Sequence, residues 1–95
     1  LIDPQADAEL VGEIRAEAEA VCGVAAVEKL WVRKTGIEYL VDIHIQVDPQ
    51  MTVDAGHHIS HLVKNQLITS FALVKDVLVH LEPYHAGPSP TGPHP

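Results

Sequence analysis

Between residues 7 and 22 apolar side chains recur at three- and four-residue steps, as Leu10, Ile14, Ala18 and Val21, while Glu9, Glu13 and Glu19 fall mostly on other faces. That spacing predicts an amphipathic helix. Pro4 and Asp7 suit its first turn, and Gly23 marks its end, where a left-handed cap costs glycine least. From Val24 to Thr35 the pattern becomes strand-like, through Val27, Leu30, Trp31 and Val32 to the basic pair Arg33-Lys34. Gly36 then places a hairpin turn at residues 34–37. The following run alternates, with Tyr39, Val41, Ile43, Ile45 and Val47 on one face and Leu40, Asp42, His44 and Gln46 on the other.

Asp48-Pro49-Gln50 stops that strand, because proline has no N–H for the ladder, and Thr52 offers an N-cap for a second helix running to about Ile68. Val53, Gly56, Ile59, Val63 and Leu67 form its expected buried stripe. A last strand covers residues 76–82, where Val77, Val79 and Leu81 alternate with Leu78, His80 and Glu82. The order is helix, strand, strand, helix, strand, and a three-stranded sheet with both helices on one face buries these stripes most simply, an α+β sandwich. After Pro83 the chain turns to Pro, Gly, Ser, Thr and His without apolar periodicity, so residues 1–83 read as one domain and 84–95 as a flexible tail.

Ninety-five residues bury one modest core, and the single cysteine, Cys22, cannot form a disulfide within the chain. Oligomerisation or a bound metal is then a natural source of added stability. The formal net charge of -7, with six Lys and Arg, argues against a nucleic-acid partner and for cationic ones. No apolar run approaches the roughly 20 residues that cross a bilayer. A start at Leu1 instead of methionine is consistent with a domain cut from a membrane protein.

Strand parity puts Asp42 and His44 on one face, and likewise His80 and Glu82, so adjacent strands would bring two polar pairs together. On the second helix His57 and His61 are four apart, and His58 and His61 three apart, so either pair can share a face. Imidazole with carboxylate suits zinc and its divalent neighbours. The primary expected ligands are His44, His57, His80 and Glu82. Taken singly, a strand histidine on a half-exposed face reads more readily as a solvated polar side chain, and it is the doubling of the pairs that favours a site. No nucleophile elbow, phosphate loop or cysteine–base pair is present, which predicts a domain without enzymatic activity.

These residues resemble the carboxy-terminal cytoplasmic domain of cation diffusion facilitator metal transporters over nearly all of residues 1–83. The resemblance rests on Leu1-Ile2-Asp3, Val21-Cys22-Gly23-Val24, Leu30-Trp31-Val32-Arg33-Lys34-Thr35-Gly36, the run from Val41 to Pro49, Thr52-Val53 followed by His57, and Val77-Leu78-Val79-His80-Leu81-Glu82-Pro83. It implies a ferredoxin-like, metallochaperone-like fold and a homodimer at the cytoplasmic face of the membrane, attached to the membrane-spanning part of the same transporter. It also implies that metal near the dimer interface shifts the two copies and regulates transport. Matched position by position, the family's ligands fall on His44, His57, His80 and Glu82. Some magnetosome-associated members use an aspartate where this chain has Asp42. The chain departs from zinc-transporting relatives in carrying Glu28 where they have histidine, and from the magnetosome type in carrying Leu40 where that has tryptophan. Asp42, Glu28 and His61 are therefore auxiliary candidates.

Without the Cys-x-x-Cys motif by which metallochaperones of similar fold hold soft metals, copper(I) is not the expected metal; zinc is expected first, with iron(II), manganese, cobalt and cadmium compatible. The rival reading is a structural dimerisation module, or a regulatory domain for a small organic ligand, with its histidines merely on the surface.

Overall fold

The computed structural model describes residues 4–86, with side chains from Asp7 onward. The elements follow the order α1 (Pro4–Glu19), β1 (Ala26–Thr35), β2 (Glu38–Val47), α2 (Val53–Ser70) and β3 (Val74–Pro83). The strands lie in the order β1-β2-β3; β1 and β2 form an antiparallel hairpin, and β3 returns parallel to β2 after α2.

One core holds the sheet and both helices together. Val41, Ile43, Ile45 and Val47 are buried on one face of β2 and pack with Ile14 and Ala18 of α1 and Ile59, Val63 and Leu67 of α2. The two helices thus cover a single sheet face, as the stripes predict, and the fold is α+β and ferredoxin-like. Among the described residues, the face bearing Leu40, Asp42, His44 and Gln46 has no helix against it.

Local chemistry explains the boundaries. The Thr52 hydroxyl accepts from the Ala55 N–H at 3.0 Å, which caps α2. Arg15 of α1 donates to the Val27 carbonyl at 2.8 Å and ties the helix to β1. Beyond Pro83 the Tyr84 N–H still donates to the Val47 carbonyl at 2.7 Å. Residues 87–95 of the expected tail, and Leu1-Ile2-Asp3, lie outside the described residues.

Besides strand ends that shift by one or two residues, details of the helices differ from the sequence pattern. α1 ends at Glu19, and a turn carries the chain on to Gly23, so Val21 packs on the core from that turn instead of from a helix. α2 runs to Ser70, two residues past the expected end. Val53 is 88% exposed and does not join the buried stripe; it lines a hollow with Met51 and Pro83.

Gly23 has φ +99°, and a Cβ there would lie 2.6 Å from Ile59 Cδ1. Backbone strain and a core clash add at this position, so Gly23→Ala is expected to cost about 1–3 kcal/mol in urea unfolding. A loss below about 0.5 kcal/mol, the range of ordinary surface changes, would contradict this.

Candidate metal centre

The helix-free sheet face acquires its chemistry from a β-bulge. The β1–β2 register runs Val27↔Ile45 and then Lys29↔His44, so Glu28 is an extra residue in β1. A bulge re-aims side chains and shifts the alternation that follows. Core-facing positions accordingly step from Val27 to Leu30 and Val32. Lys29, Trp31 and Arg33 pair with His44, Asp42 and Leu40.

Parallel pairing of β2 with β3 sets His44 beside His80 and Gln46 beside Glu82. Their rings stack with centroids 4.2 Å apart and planes at 12°, while Trp31 presents an edge-to-face contact to His44 at 5.5 Å and 76°. His44 Nδ1 lies 2.8 Å from Glu82 Oε2, a bond in which the imidazole N–H donates to the carboxylate. His44 is thereby held on three sides. Its Nε2 is the nitrogen this carboxylate does not occupy, the arrangement that orients a metal-binding imidazole.

Glu28 completes the cluster from the other edge of the sheet. Its interaction with the Glu82 carboxyl raises the Glu28 pKa from 4.5, first through hydrogen bonding between the two groups, with desolvation and the Glu82 charge adding to the rise. Glu82 moves the opposite way, held below its ordinary value first by Glu28 and then by His44. Two carboxyl groups beside an imidazole form an oxygen-and-nitrogen donor set of the kind that suits a divalent cation.

The structure divides the ligand set expected from sequence. His44, His80, Glu82 and the auxiliary Glu28 share the open face, and Asp42 lies on it one alternate position along β2, between Trp31 and Leu78. His57 does not join them: α2 packs on the opposite face, and His57 Nε2 instead meets His61 Nε2 at 3.0 Å on its exposed side. No three His, Cys, Asp or Glu side chains among the described residues already surround one point closely enough to hold an ion. Trp31 was missed as a site residue. The three-residue step from Val27 to Leu30 was the available signal that a bulge turns Glu28 and Lys29 onto the polar face.

Asp76 lies on the same face, its carboxylate accepting the Val77 N–H at 2.9 Å with Lys64 Nζ at 3.2 Å. The backbone bond first, then Lys64, lowers its pKa from 3.8. A depressed folded pKa contributes stability that is present above the unfolded value and lost as pH falls through the folded one. Asp76→Asn is therefore expected to flatten the decline of stability below about pH 4. Superimposable acid-unfolding curves for variant and parent would contradict this.

Residues 6–84 match the cytoplasmic domain of cation efflux proteins, and the chain belongs to that family. It is 29% identical over 84 residues to the manganese efflux system protein MneP of Bacillus subtilis strain 168, covering 88% of this chain and 28% of that protein. It is 33% identical over 81 residues to metal tolerance protein 2 of Oryza sativa subsp. japonica, covering 85% of this chain and 21% of that one. The chain thus spans about a quarter of the curated relatives it matches. Among solved structures, a doubly substituted MamM CTD superposes with TM-score 0.80 at 28% identity, over 86% of this chain and 99% of that chain. A cadmium form of a MamM CTD variant superposes with TM-score 0.78 at 30% identity, over 83% and 99%. A manganese form gives 0.77 at 29% identity, over 81% and 99%. No helix among the described residues is long and apolar enough to cross a membrane.

Proposed function

We propose that this is the metal-sensing, dimerising domain of a divalent-cation efflux transporter, regulatory and not catalytic, whose open sheet face binds the cation. The observation that carries this reading is the cluster of His44, Glu82 and Glu28, in which His44 Nδ1 lies 2.8 Å from Glu82 Oε2 and Glu28 interacts with the same carboxylate. His80 stands beside it and Asp42 two residues away, as auxiliary donors. The mixed imidazole and carboxylate set favours zinc, and manganese is the second choice, which the name of MneP supports.

The same face offers the surface for a second copy. Trp31 and Leu78 are half exposed there on either side of Asp42, with Leu40 two residues along β2, and apolar side chains on an unpartnered sheet face favour association. Two copies, each of formal charge -7, repel, and a bound cation relieves that repulsion locally. For metal to regulate, it must bind more tightly to one arrangement of the copies than to the other. A shell built where the two faces meet has that property.

A thermal melt at fixed protein concentration tests the proposal. Zinc and, more weakly, manganese are expected to raise the melting temperature of the parent through linkage. No shift at metal well above micromolar would favour a purely structural dimerisation module.

A further inference from the structure

The end of the sheet opposite Glu28 and Glu82 carries apolar side chains that the core does not use. β1 and β2 join there through a turn in which Gly36 has φ +64°, and the next residue, Ile37, is 76% exposed. Glycine and polar residues are the ordinary occupants of such turns. The connection from α2 to β3 arrives beside it, because Tyr39 pairs with Val74 and its N–H donates to the Leu73 carbonyl at 2.7 Å. Leu73 is 50% exposed, and it shares a mainly apolar hollow of about 270 Å³ with Tyr39, Leu10 and Phe71. One exposed apolar side chain needs no explanation, but two loop tips and a hollow at one end form a patch.

Charge sets this end apart from the rest of the chain. Lys34 and Lys75 are exposed next to the two tips, with Arg33 and Lys64 behind them. Among the described residues these four cations balance Asp7, Glu38, Asp42 and Asp76, the acids that stand around them. The acidic excess of a chain of formal charge -7 therefore lies elsewhere, along α1 and at the far end with Glu28, Asp48, Asp54 and Glu82. Lys75 is held only loosely, 3.7 Å from Glu38, so another anion can compete for it.

We propose that this end docks on the lipid surface of the membrane that a cation efflux protein inhabits. Ile37 and Leu73 enter the boundary between headgroups and acyl chains, and Lys34 and Lys75 reach anionic headgroups, their long stems lying against the apolar tips. Apolar insertion and basic attraction together make an anchor where either alone is weak. It is the end at which a negatively charged bilayer repels this acidic domain least. Docked in this way, the sheet stands with Glu28 and Glu82 directed away from the lipid. The inference rests on the domain's place at a membrane and not on cation binding by the sheet face.

The test is sedimentation of the 95-residue chain with vesicles of phosphatidylcholine and phosphatidylglycerol in equal parts, beside vesicles of phosphatidylcholine alone, with a chelator present so that no metal bridges protein to lipid. The parent is expected to bind the mixed vesicles more tightly than the neutral ones. Ile37→Ser should weaken that binding about tenfold, the value of one buried aliphatic side chain. The double change Lys34→Gln with Lys75→Gln should also weaken it about tenfold, and make it insensitive to salt. Val53→Ser, an equally exposed site at the far end, should leave it unchanged. In a Trp31→Phe background, Ile37→Trp should shift its emission to the blue on mixed vesicles, which marks insertion and not mere adsorption. Circular dichroism establishes that each variant folds, since Ile37, Lys34 and Lys75 are exposed and outside the core. No binding by the parent, equal binding by parent and Ile37→Ser, or binding without the blue shift overturns the proposal. Zinc-dependent melting of the chain without vesicles reads the sheet-face cluster separately, so failure of one reading is distinguished from failure of the other.

Discussion

Ile43→Ala is expected to lower the unfolding free energy by about 2–5 kcal/mol, which removes a large part of the stability of a domain this small. Ile43 is fully buried in the central strand, paired across the ladders with Leu30 and Val79, and belongs to the core that includes Ile14, Val63 and Leu67. Truncating it removes apolar contacts and leaves a cavity between a sheet and two helices that are anchored on both sides. Leu78→Ala is the matched control on the opposite face, where Leu78 is 58% exposed, and it is expected to change folding by less than about 0.5 kcal/mol. Urea midpoints at one protomer concentration separate the two, since association of the copies would otherwise add to the measured stability. Equal losses from both variants would show that the sheet faces are assigned the wrong way round.

His44→Ala is expected to weaken zinc binding at the open face on the order of 100-fold or more, and to abolish the zinc-induced rise in melting temperature. The substitution removes the imidazole bonded to Glu82 and leaves Glu28 and Glu82 without it. Trp31→Phe should have a milder effect, since a smaller ring still packs against His44 but with less contact. Zinc should alter the fluorescence of Trp31, the only tryptophan, in the parent and not in His44→Ala. Isothermal titration with identical affinities for parent and His44→Ala would contradict the assignment of His44.

Much of this architecture was legible because two periods carry it. The alternation from Tyr39 to Val47 fixed which side of β2 is core, and the three- and four-residue steps of Ile59, Val63 and Leu67 fixed the buried side of α2. Parity alone therefore placed His44, His80 and Glu82 together. What parity could not supply was the bulge at Glu28, which depends on the pairing of two strands and not on either one. Nor could it place His57. The helix position was correct, but a stripe shows only which side is buried, and His57 points away from the sheet toward His61. Val53 failed for a related reason, since periodicity does not say at which residue of the first turn burial begins, and here it begins at Gly56.

The most direct measurement is an anomalous difference map from crystals of the chain grown with zinc and measured at the zinc absorption edge. The account predicts a peak within bonding distance of His44 Nε2 and a carboxylate oxygen of Glu28 or Glu82. A folded, zinc-saturated crystal whose peaks lie only elsewhere, with His44 still bonded to Glu82 and no ion beside them, would contradict it.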